Sequence, residues 1–216
     1  MVVFHPLIVC FWQHIWSKLN VKTASPYLYD KDLIDRYIGK RKDFLIDNIE
    51  PIYINGQKHK GFINYVAKKH NVPVEIFALP AIESGYDVRA ISSAGAIGMW
   101  QIMRPTGKDM GLYITRNMDE RKNWKKSTVA AIKYIKHLSE DFFDGDYELA
   151  ILAYNAGVGN VKRSMKRMKS KNAWYLVKND KRLAQESKEY LVKFIIYAYY
   201  FDYLDINLEL AKAESK

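Results

Sequence analysis

Along most of the chain apolar residues recur at intervals of three and four, with few of the alternating β-branched runs that mark strands, and this period predicts a mainly α fold. Residues 30–50 read as an amphipathic pair of turns ending before Pro51, and Asn55-Gly56 reads as a turn. After Gly61 the run FINYVAKKHN is a short helix stopped by Asn71, and Pro73 is placed to open the next one, which reaches Glu83. Ser127 and Thr128 are N-cap candidates for a helix carrying Val129, Ile132, Ile135, Leu138 and Phe142 on one face. Asp146 caps the following YELAILAYNAG, which Gly157 closes. KEYLVKFIIYAYYFDYL is apolar and aromatic enough to be a buried closing helix, and INLELAKAESK reads as a solvated tail. With no internal repeat and no low-complexity linker, the chain divides into an N-terminal segment and helical preamble (1–60), a main domain (61–203) and a C-terminal tail (204–216).

Composition narrows the partners more than the fold. A chain of 216 residues suits one sizeable domain with a small appendage, and 49% apolar with 27% charged residues excludes a wholly disordered chain. Thirty-four Lys and Arg against 24 Asp and Glu leave a net charge of +10, which favours a polyanionic partner: nucleic acid, anionic lipid or an acidic cell-wall polymer. Cys10 is the single cysteine, so an internal disulfide and a cysteine-rich zinc site are excluded. The five histidines lack metal-ligand spacing, and no structural metal is expected. The N-terminal run MVVFHPLIVCFWQHIW has no Lys or Arg ahead of its apolar residues and is interrupted by His5-Pro6, so it is not a clear signal peptide. It is also well short of the ~20 residues a membrane-spanning helix needs, and reads as a packed or frayed segment.

The first candidate for chemistry lies in ALPAIESGYD, residues 78–87, where Glu83 follows an apolar stretch and shortly precedes Gly85. A helix C-terminus opposes a carboxylate by ~0.3–1 kcal/mol, and Ala78, Leu79, Ala81 and Ile82 would desolvate it further. Pro80 is expected to bend the helix from its interior and Gly85 to release the chain. Both electrical effects favour the protonated acid, a setting that suits a general acid near neutral pH. Taken alone, a glutamate bonded to a backbone amide at a helix end explains the same residues.

Two further segments shift the balance towards chemistry. AISSAGAIGMWQIMRPTG, residues 90–107, places Gly95 and Gly98 among small Ala94 and Ala96, the composition of a tight loop, and AYNAG stands at 153–157. Glu83-Ser84, then Ser92 with Gly95-Ala96 and Gly98-Met99-Trp100-Gln101, then Ala153-Tyr154-Asn155-Ala156-Gly157 together resemble the lytic transglycosylases of the soluble-transglycosylase, goose-lysozyme-like fold, and within them the membrane-bound lytic murein transglycosylase D type. QESKEYLVKF, 185–194, is similar to a further family stretch and aligns Tyr190 with its active-site tyrosine. The resemblance covers residues 61 to about 200. Val88, Arg104-Pro105, Gln185 and Ser187 depart from the family pattern, none of them at a group that does chemistry.

The resemblance implies a lysozyme-like α-helical domain with a short helical N-terminal extension. It makes Glu83 the catalytic acid and base, with Ser92, Gln101, Met103, Tyr154, Asn155 and Tyr190 lining a sugar cleft; Trp100 reads as structural. It implies peptidoglycan glycan strands as partner rather than nucleic acid, work in the periplasm or cell envelope, and no cofactor. Membrane association and oligomeric state stay open. Ordinary glycosidases flank the bond with two carboxylates, whereas these blocks supply one, and Asp87 reads as a surface residue. The implied reaction is therefore cleavage between MurNAc and GlcNAc with closure of the muramyl C6 hydroxyl on C1. A goose-type lysozyme hydrolysing the same bond and a non-catalytic wall-binding module are the alternatives. Lys162, Arg163, Lys166, Arg167 and Lys169, just after AYNAG, are expected either to steer the acidic polymer or to form a solvated helix face.

Overall fold

A computed structural model describes residues 31–214; the N-terminal run with His5, Pro6 and Cys10 lies outside the described residues. Helix α1 spans Lys31–Lys69, followed by a 3-10 turn at Val74–Ala78 and the short α2, Leu79–Ser84. Beyond a long loop come α3 (Arg104–Asp109), a 3-10 turn at Glu120–Lys122, and α4 (Trp124–His137), which runs into a π-helical turn at Leu138–Phe142. Then follow α5 (Tyr147–Ala156), α6 (Val158–Met168), α7 (Ala173–Asn179) and α8 (Gln185–Glu214). Extended pairing among the described residues is confined to isolated bridges such as Ile91 with Ile97 and Ile97 with Ile102, so the fold is mainly α as expected.

One prediction fails at α1. The helix neither ends before Pro51 nor turns at Asn55-Gly56; it passes through both. Its buried positions Leu45, Ile49, Tyr53, His59, Ile63 and Val66 stay in phase across the breakers. Proline costs a helix interior ~3 kcal/mol, and burial of this stripe against α8 and the 3-10 turn outweighs it. Gly56 serves packing instead of turning: a Cβ there would meet the Tyr86 ring at 2.6 Å.

Pro80 likewise falls in the first turn of α2, where its missing N–H costs nothing, so it opens the helix and does not bend its interior. The α4 cap is Asn123, whose side chain accepts from the Lys126 amide, while Ser127 and Thr128 are wholly buried inside the helix. Asp146 caps α5 by accepting from the Leu149 amide at 2.9 Å, and Gly157 closes it with φ +79°, both as expected. The residues read as a tail continue α8 to Glu214, and Leu208 is exposed there. α8 is largely apolar from Tyr190 to Phe201 because this stretch is the central post of the fold: α5, α1, α2 and α7 pack around the helix, burying Leu191, Phe194, Ile195 and Ile196. No described helix is long and apolar enough to cross a membrane, and no three His, Cys, Asp or Glu side chains cluster as metal ligands among the described residues.

Candidate active site

Glu83 sits in the last turn of α2, which ends at Gly85 in the left-handed region (φ +60°), with Tyr86 also left-handed (φ +65°). Two such residues in succession turn the chain sharply away, and Tyr86 locks the turn by donating its hydroxyl to the Phe77 carbonyl at 2.6 Å. Glu83 is thereby held at a helix end against α8. The Tyr190 hydroxyl, on a side chain only 5% exposed, donates to Glu83 Oε1 at 2.5 Å. Glu83 itself is half-buried.

Burial is the largest influence on this carboxyl and raises its pKa from 4.5 to about 7; the Tyr190 hydrogen bond opposes that rise, the charge of Glu186 adds to it, and Lys193 opposes it. Desolvation, one of the two effects expected to favour the protonated acid, is thus the one that carries the shift. Tyr154 and Tyr190 are both held far above the ordinary tyrosine range, by burial first and by the Glu83 charge second, which keeps each hydroxyl a donor.

The loop between α2 and α3 packs beside this carboxyl. Ser84 donates to the Met99 carbonyl at 2.8 Å and Tyr154 to the Trp100 carbonyl at 2.7 Å, so groups beside Glu83 grip the loop from α2 and from α5. Trp100 is fully buried and donates its indole N–H to Thr128, which donates in turn to the Trp124 carbonyl; the reading of Trp100 as structural holds. Gln101, with φ +47°, spends its amide nitrogen on the Gly98 and Ala90 carbonyls at 2.9 and 3.3 Å, so its own carbonyl oxygen is the group left to meet a ligand. The Ser92 hydroxyl accepts from the Ala96 amide at 3.0 Å and closes the loop tip. Met103, at the start of α3, is 43% exposed. Asn155 accepts from Ser187 at 2.7 Å, tying the end of α5 to the first turn of α8.

The predicted residues therefore gather in two tiers. Glu83, Tyr154 and Tyr190 form one electrostatic unit; Ser92, Gln101 and Met103 follow the loop, and Asn155 is engaged with α8. Sequence reasoning did not single out Glu186, whose charge reaches Glu83, nor Arg121 and Asp119, which hold the loop from behind. An acidic residue four before Tyr190 on one helix face was the available signal for the first. Nothing in the periodicity marks the second.

The basic stretch is α6. Arg167 pairs with Asp180 at 2.5 Å, Arg163 bonds Asn160, and Lys162 lies 4.6 Å over the Phe142 ring. Burial would raise Asp180, but hydrogen bonds from Arg167 and the Arg182 amide hold it at about 2. At least Arg167 is thus structural.

Comparison with known proteins gives the family and the fold. The family profile described as the transglycosylase SLT domain matches residues 61–177. Membrane-bound lytic murein transglycosylase D of Escherichia coli K12 is 37% identical over 160 residues, which cover 72% of this chain and 33% of that protein. The chain thus spans about a third of the length of that relative. Among solved structures, an inactive Glu-to-Gln mutant of the lytic transglycosylase Slt of Pseudomonas aeruginosa superposes with a TM-score of 0.60 at 18% identity, covering 91% of this chain and 41% of that one. The 70 kDa soluble lytic transglycosylase of Escherichia coli gives 0.59 at 19% identity, over 67% and 24%.

Proposed function

The chain belongs to the transglycosylase SLT domain family, and from that premise we propose that it is a lytic transglycosylase of peptidoglycan with Glu83 as its acid and base. The observation that carries the reading is the Glu83 carboxyl, bonded to Tyr190 at 2.5 Å and raised by burial to about 7. A group titrating near ambient pH can both give and take a proton in one turnover. Tyr190 occupies Oε1, so the transferable proton rides on Oε2.

In the proposed sequence, that proton passes to the glycosidic oxygen as the C1–O bond breaks, and the substrate's N-acetyl oxygen supports the developing positive charge at C1. Glu83, now a carboxylate steadied by Tyr190, takes the proton of the muramyl C6 hydroxyl, whose oxygen bonds C1. The products are a GlcNAc hydroxyl end and a 1,6-anhydro-muramyl end. No water is consumed and no cofactor enters. Gln101 through its carbonyl oxygen, Ser92, Met103, Tyr154 and Asn155 are proposed to line the glycan, and residues 61–203 to form the catalytic unit after the preamble. The Escherichia coli relative is called membrane-bound; for this chain the reading places the work in the cell envelope, where peptidoglycan lies.

A goose-type lysozyme is the second reading, and one observation favours it: a second carboxylate, Glu186, stands close enough for its charge to be felt at Glu83. Mass spectrometry of a murein digest separates the two. Anhydro ends, lighter by one water and resistant to borohydride, are expected. Reducible muramyl ends carrying oxygen from labelled water would overturn the transglycosylase assignment in favour of hydrolysis.

A further inference from the structure

We infer that Arg121, held by Asp119, is a positioning residue for the chemistry at Glu83: its guanidinium ties the two limbs of the 95–102 loop together, and carbonyls between those ties hold Ser84 and Tyr154 beside the acid. The inference rests on the peptidoglycan reading for the reaction it serves. Arg121 is 3% exposed. Its Nη1 donates to the carbonyls of Gly95 and Ile102, both at 3.0 Å, so one nitrogen bridges the two ends of the loop. Nε and Nη2 donate to Asp119 at 2.9 and 2.6 Å, which neutralises the charge and fixes the fork. The backbone joins in: the Arg121 carbonyl lies so close to Gly98 that a Cβ there would stand 2.1 Å from its oxygen.

Between the tied carbonyls at 95 and 102 lie those of Met99 and Trp100, which receive Ser84 at 2.8 Å and Tyr154 at 2.7 Å. Ser84 adjoins Glu83 on α2, and Tyr154 is electrostatically coupled to it. The loop is thus a rigid relay fastened on one side by Arg121 and on the other by the groups flanking the carboxyl. A buried ion pair of this kind is weak evidence for stability, because desolvation offsets much of its attraction; two backbone carbonyls on a single guanidinium nitrogen are better evidence for geometry. A lysine in its place keeps the charge against Asp119 but cannot hold both limbs in a planar fork.

The test uses the full chain with Arg121→Lys and Arg121→Gln, each checked for helicity by circular dichroism, together with Glu83→Gln to assign the Glu83 carboxyl in a carbon-13 titration. Arg121→Lys is expected to remain folded and to bind sacculi as the wild type does, while its turnover on murein falls roughly 10- to 100-fold, the scale of a misplaced reacting group. Its Glu83 should titrate below the wild-type value of about 7, because a loosened loop admits water to the carboxyl. Ser84→Ala added to Arg121→Lys should cost little more, since both act through the same loop. A wild type that leaves murein intact overturns the peptidoglycan reading on which the inference rests. A wild type that cuts, with folded Arg121→Lys and Arg121→Gln cutting at its rate and Glu83 titrating unchanged, overturns the relay alone, as does full additivity of Ser84→Ala with Arg121→Lys.

Discussion

The loop around Glu83 and the basic helix α6 both pack on α5, yet they treat polar groups in opposite ways. Around Glu83 the polar side chains are few and committed: Ser84, Tyr154, Tyr190, Gln101 and Arg121 each make a bond to a named carbonyl or carboxyl. On α6 the charges are many, and most stand in solvent, with Arg167 engaged on buried Asp180. A charge in water is interchangeable with its neighbours, whereas a polar group out of water is defined by its one partner. Chemistry therefore concentrates where charge is scarce, and the +10 of the whole chain acts only at long range.

The sharpest test of this contrast is Glu83→Gln. Loss of the group proposed to carry the proton should lower murein cleavage by on the order of 10³–10⁴-fold with the fold retained, measured by release of soluble muropeptides. Stability should move the other way at high pH. Because the folded carboxyl titrates near 7 against 4.5 in the open chain, its contribution is intact below about 4.5 and lost as pH rises through about 7. In chemical denaturation Glu83→Gln should thus exceed the wild type at about pH 8, by up to roughly 3 kcal/mol, and match it at about pH 4.

Gly98→Ala comes next. With φ +81° and the Arg121 carbonyl 2.1 Å from the new Cβ, the loop must leave its seat, at a cost of about 3 kcal/mol or more in chemical denaturation. Tyr190→Phe removes a hydrogen bond to a charged group, and turnover should fall about 10- to 100-fold. The alkaline limb of its pH profile should move up, since that bond favours the carboxylate. The smallest effect belongs to α6: Lys166→Gln with Lys169→Gln should weaken binding to sacculi by no more than about 3-fold at low salt and not at all at high salt. A loss there rivalling that of Tyr190→Phe would erase the contrast.

Much of the site is legible in the chain because its parts are local. Glu83 beside Gly85, the glycines of the 95–98 loop and the AYNAG segment each combine a chemical group with the backbone freedom that presents it, and Asp146 and Gly157 bound α5 by cap rules alone. Pro51 and Asn55-Gly56 misled for the same reason: they are local signals, and the stripe from Leu45 to Val66, in phase through both, is a weaker one until its partner helix is known. Ser127 and Thr128 have the composition of caps, yet their hydroxyls serve buried Trp100 and the helix's own carbonyls.

The sequence by itself determined the helical period, the carboxyl and its loop, and the order of the blocks, since these depend on residues within a turn or two of one another. Only the tertiary structure decided that Tyr190 reaches Glu83 across 107 positions, that Tyr154 holds the Trp100 carbonyl across 54, and that Arg121 closes the loop from behind. It also decided how far the proton affinity of Glu83 rises: the local chain promised desolvation from Ala78, Leu79, Ala81 and Ile82, but the extent of desolvation, the largest cause, is set by everything packed around the group.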